Sequence, residues 1–153
     1  MREVPARRIF SRFSSLALLG LSAMGAAPIL ADEVKIMPPA AITYRADANV
    51  PGVSVALIDG NPKDGPYTVR AKISRNVKIP AHFHPDNRVV TVISGTYYFG
   101  AGDKYDEGSI KGYGPGTTIV VPAHTAHYAG SAEDGAIVQE SGTGPTGITL
   151  TGK

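Results

Sequence analysis

The sequence contains no cysteine and no tryptophan among its 153 residues. The absence of cysteine excludes disulfides and thiolate ligands, so a bound metal would have to be held by nitrogen and oxygen atoms. Histidine is also scarce, with only four residues in the chain. All four lie in two short segments, 80–88 and 122–127. These two segments are therefore the first candidates for a functional site.

A helical pattern is also missing after position 31, where no stretch of ten or more residues keeps a 3.6-residue apolar period. Glycine and proline are abundant instead, with 18 and 12 residues spread through the chain. Between them lie runs typical of short strands, at 53–58, 67–73, 89–99, 117–122, 128–129, 136–140 and 147–150. The pattern predicts an all-β domain, either a sandwich or a barrel.

Glycine marks the predicted interruptions between strands. Ser94-Gly95 breaks the longest run and predicts a hairpin turn or a bulge. Residues 131–135 predict a turn between two strands. Residues 100–116 predict a polar connection whose acidic side chains are solvated.

The N-terminal 31 residues differ from the rest of the chain in composition. A basic segment ending at Arg12 precedes an apolar stretch, 16–27, which is shorter than the roughly 20 residues of a membrane span. We predict an export signal over 1–31, a lead-in segment over 32–52 and a barrel domain over 53–153. The mature protein would then be periplasmic or secreted and would have no stable membrane anchor. A permanent N-terminal anchor is the alternative that the short stretch disfavours.

The export route is open between two possibilities. Arg7-Arg8-Ile9-Phe10 resembles the twin-arginine signal, which carries proteins that have already folded. Ala6 stands where a serine or threonine is usual, so the ordinary secretory route fits equally well.

The charge of the chain changes when this segment is left out. The full sequence carries a net charge of +2. Residues 1–31 hold four arginines and one glutamate, so the remainder has a net charge of −1. A nearly neutral domain gives no reason to expect nucleic acid or an anionic membrane as a partner.

The histidine segments predict a metal site. His82 and His84 are two residues apart, so an extended strand directs both imidazoles to one side. His127 is the best candidate for a third ligand. Imidazole suits zinc, copper, iron and nickel, so the spacing predicts one divalent transition metal without identifying it.

These residues also carry a resemblance to the cupin superfamily. The first cupin motif, G-x5-H-x-H-x(3,4)-E-x6-G, fits from Asn76 through His82, His84 and Arg88 to Gly95. The second, G-x5-P-x-G-x2-H-x3-N, fits over 116–131 and places His127 at its histidine. The resemblance covers about 53–150. It implies a double-stranded β-helix, or jelly-roll barrel, whose three histidines bind one metal: iron, zinc, manganese, nickel or copper.

Four motif positions hold other residues. Asn76 replaces glycine and tolerates a positive φ, and Ser131 replaces asparagine but remains a turn former. His124 replaces glycine in a turn. It is either a solvated loop histidine or a catalytic residue that shuttles protons or contacts a metal ligand.

Arg88 is the most consequential departure, because the family places a glutamate ligand there. A guanidinium has no acceptor atom and cannot coordinate a cation. At about 4 Å from one unit positive charge it would cost roughly 4 kcal/mol at an effective dielectric of about 20. Three alternatives follow: Arg88 pairs with a carboxylate such as Asp86 or Glu140, it holds an anionic substrate beside the metal, or the site has lost its metal.

The function that the resemblance implies is a metal-dependent enzyme acting on a small molecule, with dioxygenase, isomerase and hydrolase as the open classes. Oxygenation is favoured by analogy, because some cupin dioxygenases use three histidines without the carboxylate. The metal and Arg88 together favour a small carboxylate as substrate. A binding module without catalysis and a metal-free barrel are the other hypotheses. Small barrels often form homodimers, but no residue here argues for one.

Overall fold

Two long, bent strands form the frame of the molecule in a computed structural model that describes residues 33–152. They are β5 (Arg88–Ala101) and β8 (His127–Thr143), which pair antiparallel along nearly their whole length. The remaining strands of the described chain attach to one half or the other of this pair. They are β1 (Arg45–Ala46), β2 (Val53–Gly60), β3 (Pro66–Ile73), β4 (Lys78–Phe83), β6 (Lys111–Tyr113), β7 (Thr118–Val121) and β9 (Thr149–Leu150), after a short 3-10 helix at Pro39–Ala41.

The two halves of the long pair belong to two different layers. The second half of β8 pairs with β3, which continues through β2 to β1, and the first half of β5 pairs with β7. The first half of β8 pairs with β4, which continues to β9, and the second half of β5 pairs with β6. This is the all-β fold that the strand pattern predicted, in the jelly-roll arrangement that the resemblance implied.

Gly95 and Gly135 lie at the bend that separates the layers. Both have positive φ, 72° and 71°, and the pairing register of β5 shifts on each side of Ser94-Gly95. A Cβ atom added at Gly95 would lie 2.1 Å from the carbonyl oxygen of Gly135, so no larger residue fits. The predicted interruption at Ser94-Gly95 is therefore a bulge inside one strand.

Two predicted connections contain strand structure. Residues 131–135 belong to β8, because this strand is paired on both sides of the bend. The prediction of a turn there was wrong, because Gly135 bends the strand without ending it. The predicted connection 100–116 contains the short strand β6, which pairs Tyr97 with Tyr113.

The hydrophobic core lies between the two layers and draws on almost every strand. Val92 and Val138 are each 1% exposed at its centre. Val50 also belongs to the core, although it lies in the predicted lead-in segment, and β1 begins in the same segment. The compact unit that carries the barrel begins at Ile36. The predicted export signal lies outside the described residues, and within the described range no helix is long and apolar enough to span a membrane.

Candidate metal centre

Three histidines from two distant segments meet inside the barrel. His82 of β4 is paired with His127, the first residue of β8, and His84 follows the end of β4. The ring centroids lie 4.3 Å apart for His82 and His127, 4.9 Å for His82 and His84, and 5.3 Å for His84 and His127. One nitrogen from each ring lies within 4.8 Å of the others, so this histidine cluster could hold a metal ion.

Each ring of the histidine cluster is oriented by a main-chain carbonyl. The Nδ1 atom lies 2.7 Å from the Pro80 oxygen in His82 and 2.9 Å from the Thr125 oxygen in His127. In His84, Nδ1 lies 2.6 Å from the oxygen of Gly147. A carbonyl only accepts, so each Nδ1 carries the proton and each Nε2 keeps a free lone pair. Three such nitrogens match the donor set that divalent transition metals take from proteins.

Burial keeps these rings neutral. It lowers the pKa of His82 to about 4, and the neighbouring rings of His127 and His84 contribute in the same direction. Burial together with the Arg88 charge lowers the pKa of His84 to about 4. The pKa of His127 is also lowered, again chiefly by burial. Because only the neutral ring can coordinate, the histidine cluster is ready for a metal at neutral pH.

The histidine cluster opens into a cavity of about 340 Å³ between the two layers. Phe99 stacks on His127 with a centroid distance of 5.2 Å. Much of the cavity wall is apolar and comes from Val53, Val55, Val69, Ala71, Val90 and Ile148. The polar side chains in its wall include the histidine cluster, Arg88, Glu140 and Thr146. A volume of this size suits a small organic molecule.

Arg88 is buried and paired with two carboxylates. One terminal nitrogen donates to Asp86 Oδ1 at 2.8 Å, and the other donates to Glu140 Oε2 at 2.7 Å. Its side chain is 6% exposed, against 3% for Asp86 and 18% for Glu140. Of the three alternatives for Arg88, the structure shows the first, in which its side chain pairs with a carboxylate. Both Asp86 and Glu140 take part.

Asp86 is held by further hydrogen bonds from distant parts of the chain. The hydroxyls of Tyr67 and Thr146 each donate to it at 2.6 Å, and Thr146 accepts from Arg88 at 2.7 Å. Burial alone would raise the pKa of Asp86, but hydrogen bonds from Thr146, Tyr67 and Arg88 outweigh it and lower that pKa. Burial and the bond to Asp86 raise the pKa of Tyr67 to about 12. We call this set of five residues the arginine network: Tyr67, Asp86, Arg88, Thr146 and Glu140.

Gly142 makes room for the arginine network. It lies between Tyr67 and Arg88 in the strand pairing. A Cβ atom at this position would lie 2.6 Å from Asp86 Oδ2 and 2.8 Å from the Tyr67 hydroxyl. The network therefore requires a residue without a side chain here.

His124 lies apart from the other three histidines. Its ring is exposed and packs against Phe83 at a centroid distance of 5.8 Å. Its main-chain N–H donates to the carbonyl oxygen of His84 at 2.8 Å. His124 therefore contributes its backbone to the position of His84, and its ring is outside the cavity.

Sequence reasoning missed Tyr67 and Thr146 as site residues, and it named Glu140 only as a possible partner of Arg88. A signal for Glu140 was present, because it follows Val138 at the two-residue spacing that places both on the inner face of β8. A charged residue on an otherwise apolar strand face calls for an explanation. No comparable signal marks Tyr67 or Thr146.

Comparison with solved structures agrees with this architecture. The polyketide cyclase RemF from Streptomyces resistomycificus superposes with a TM-score of 0.67 at 15% identity, covering 79% of this chain and 87% of that protein. An RmlC-like cupin from Shewanella frigidimarina gives 0.56 at 18% identity, covering 72% and 91%. The chain has the cupin fold. The DMSP lyase DddQ from Ruegeria pomeroyi shares it, with a TM-score of 0.59 at 15% identity over 73% of this chain and 62% of that one. No protein-family model and no curated protein matches the sequence.

The backbone of the chain agrees with the motif positions that the sequence suggested. All four glycine positions of the two motifs have positive φ: 53° at Asn76, 72° at Gly95, 87° at Gly116 and 59° at His124. Asn76 and His124 are the non-glycine residues with positive φ in the described range. Ser131, at the asparagine position, is buried in β8 and bonds to the carbonyl oxygen of Ser74, so it is not part of a turn.

Proposed function

We propose that this cupin is a metal-dependent enzyme that holds one divalent transition metal through His82, His84 and His127. The observation that carries the proposal is that one nitrogen of each ring lies within 4.8 Å of the others, while each Nδ1 is bonded to a main-chain carbonyl. Three protein ligands leave coordination positions open, an arrangement typical of catalytic sites. When bound, the metal would supply Lewis-acid polarisation of a coordinated oxygen. Oxygenation of the substrate is the reaction class that the cupin analogy favours.

The substrate that fits best is a small molecule with one anionic oxygen and an apolar body. The three imidazoles are neutral, so a bound divalent ion would keep its charge and attract an anion. Arg88 already has two carboxylate partners, so we propose that the anionic group binds at the metal and not at the guanidinium. The apolar wall of the cavity would receive the remainder of the molecule. A polyketide cyclase and a DMSP lyase share this fold, and both are enzymes that act on small molecules.

Two measurements test the proposal. Elemental analysis of the protein, purified without an affinity tag, should find about one transition-metal ion per chain. Turnover should then be assayed against small carboxylates under air and under anaerobic conditions. Absence of metal after supply of zinc, iron, manganese, nickel and copper would overturn the metal site. A metal-loaded protein that binds carboxylates without converting any of them would favour a binding module over an enzyme.

We also propose that the protein is exported to the periplasm. The support is the sequence of residues 1–31, whose basic segment is followed by a short apolar stretch. Mass spectrometry of the protein from fractionated cells should find a mature chain beginning at Asp32. Replacement of both Arg7 and Arg8 by lysine should retain the protein in the cytoplasm if the twin-arginine route is used, and should leave export unchanged if the ordinary route is used.

A further inference from the structure

We propose that Glu140 is a catalytic residue of this site, because one oxygen of its cavity-facing carboxylate is held by Arg88 and the other is available to accept a proton from a metal-binding substrate. Arg88 is then the positioning residue for Glu140. The inference rests on the proposed function, because it assumes that the histidine cluster holds the metal.

The position of Glu140 is unusual for a charged side chain. In the strand pairing it lies between Val69 of β3 and Val90 of β5, and all three residues line the cavity. A carboxylate in an apolar wall loses hydration, which is costly unless partners replace the lost water. Packing alone would therefore favour an apolar residue at this position.

The need to neutralise the charge of Arg88 does not explain why residue 140 is a glutamate, because Asp86 already neutralises that charge. Asp86 is more deeply buried, and it accepts hydrogen bonds from Arg88, Tyr67 and Thr146. The arginine network thus contains one guanidinium and two carboxylates, which leaves a surplus of one negative charge. A buried surplus charge of this kind suits a site that also receives a cation.

The two oxygens of Glu140 are not equivalent. Oε2 accepts a hydrogen bond from Arg88 at 2.7 Å. Oε1 accepts none from any side chain or backbone group in the described range, and the side chain keeps 18% of its surface exposed. One oxygen is therefore fixed and the other is free to meet a ligand, as a proton acceptor requires.

The groups that face Glu140 leave it as the available base. Burial raises the pKa of Tyr97 on β5, and the charge of Glu140 raises it further, so this tyrosine keeps its proton. Burial lowers the pKa values of His82 on β4 and His127 on β8, while the charge of Glu140 opposes that change in both. The negative charge of Glu140 therefore influences two rings of the histidine cluster. Arg88 on β5 is its one ion-pair partner in the described chain.

The proposed step conserves atoms and charge. An O–H bond of the substrate, on an oxygen other than its anionic one, breaks and leaves its electron pair on that oxygen. A metal held by His82, His84 and His127 would stabilise the negative charge that develops there. The proton forms a new bond to Oε1 of Glu140. No oxidant or reductant is consumed, so the step could precede oxygenation, elimination or isomerisation alike.

The test counts protons and does not depend on knowing the substrate. The probe is acetohydroxamic acid, which loses a proton when it binds a metal as its anion. Titration calorimetry of the zinc-loaded full chain, at about pH 6 in buffers of different ionisation enthalpy, gives the number of protons passed to the buffer. At this pH a water displaced from zinc would leave with both of its protons. The wild type should pass close to none, because Glu140 keeps the proton, and Glu140→Gln should pass about one.

Two further variants complete the experiment. Glu133→Gln removes an exposed carboxylate from the same strand and should behave as the wild type. Arg88→Lys keeps the charge but cannot hold both carboxylates, so its proton count should lie between those of the wild type and Glu140→Gln.

The outcomes separate this inference from the function on which it rests. If zinc fails to bind to the wild type, both the metal site and the role of Glu140 are wrong. If zinc binds but the probe does not, or if Glu140→Gln and the wild type release the same number of protons, the role of Glu140 alone is overturned.

Discussion

The cavity contains two polar regions that are built in different ways. The histidine cluster consists of neutral rings, each oriented by a main-chain carbonyl. The arginine network consists of charged groups that are oriented mainly by other side chains. The first region lacks charge and has the geometry to hold a cation, whereas the second holds a surplus negative charge. The difference accords with the division of tasks proposed above, in which the histidine cluster binds a metal and Glu140 accepts a proton.

Removal of a metal ligand should produce the largest effect. His127→Ala leaves two imidazoles, so affinity for zinc should fall by more than about 100-fold, the upper range seen when groups around metal ligands are lost. Elemental analysis and competition with a chelator measure the loss. His124→Ala is the matched control, because that ring is exposed outside the cavity. Full metal retention in His127→Ala would show that β8 supplies no ligand.

Reversal of the charge at position 88 should destabilise the arginine network and strengthen zinc binding at the histidine cluster. Arg88→Glu leaves Asp86 and Glu140 without their cation and adds a third carboxylate, which should destabilise the metal-free protein by about 3–5 kcal/mol. The same change restores the ligand of the cupin motif, so zinc should bind more tightly and recover much of that stability. Urea unfolding with and without zinc measures both effects. Unchanged or weaker zinc binding would contradict the placement of residue 88 beside the metal.

Acid should separate the two regions by the pH range over which each one loses stability. The folded pKa values of His82 and His84 are about 4, below the usual 6.5, so between these values the unfolded chain binds more protons. The free energy of unfolding of the metal-free protein should therefore fall as the pH drops from about 6.5 to 4, by about 1.4 kcal/mol per unit for each ring.

The control for this acid titration is His82→Gln, in which the slope over this range should be smaller. The lowered pKa of Asp86 gives stability that is lost only on further acidification, through its folded pKa. A slope that is the same in His82→Gln and the wild type would show that His82 is not buried as a neutral ring.

Crowding of the arginine network should give the smallest effect. Gly142→Ala places a methyl group against Asp86 and Tyr67, which should cost about 1–3 kcal/mol of stability and leave zinc affinity nearly unchanged. Gly114→Ala is the control, because a Cβ atom there meets no atom within 4 Å. Loss of zinc binding in Gly142→Ala would mean that the two regions are not independent.

His82 and His84 could be anticipated as a pair because their geometry is local, whereas His127 was anticipated from its place in the second motif. The spacing of His82 and His84 fixes a common strand face. The carbonyl that orients His82, and likewise the one that orients His127, belongs to the residue two positions earlier. The positive φ at Asn76 was likewise expected from a residue type that tolerates it.

The arginine network could not be anticipated in the same way. Tyr67, Asp86, Glu140 and Thr146 come from four separate segments, and only the pairing of β3, β5 and β8 makes them neighbours. Sequence reasoning proposed Asp86 and Glu140 as alternatives for Arg88, but one guanidinium engages both. The turn expected at 131–135 failed for a related reason, because the partners that keep β8 continuous lie far away in the sequence.

The bend at Gly95 and Gly135 places the two regions on the same pair of strands. His127 and Glu140 both belong to β8, on opposite sides of Gly135, while Arg88 precedes Gly95 on β5. Because both strands bend there, the separation between His127 and Glu140 is set by backbone curvature more than by side-chain length. Evolution or design could tune that separation by altering the bulge, without replacing a single residue that faces the cavity.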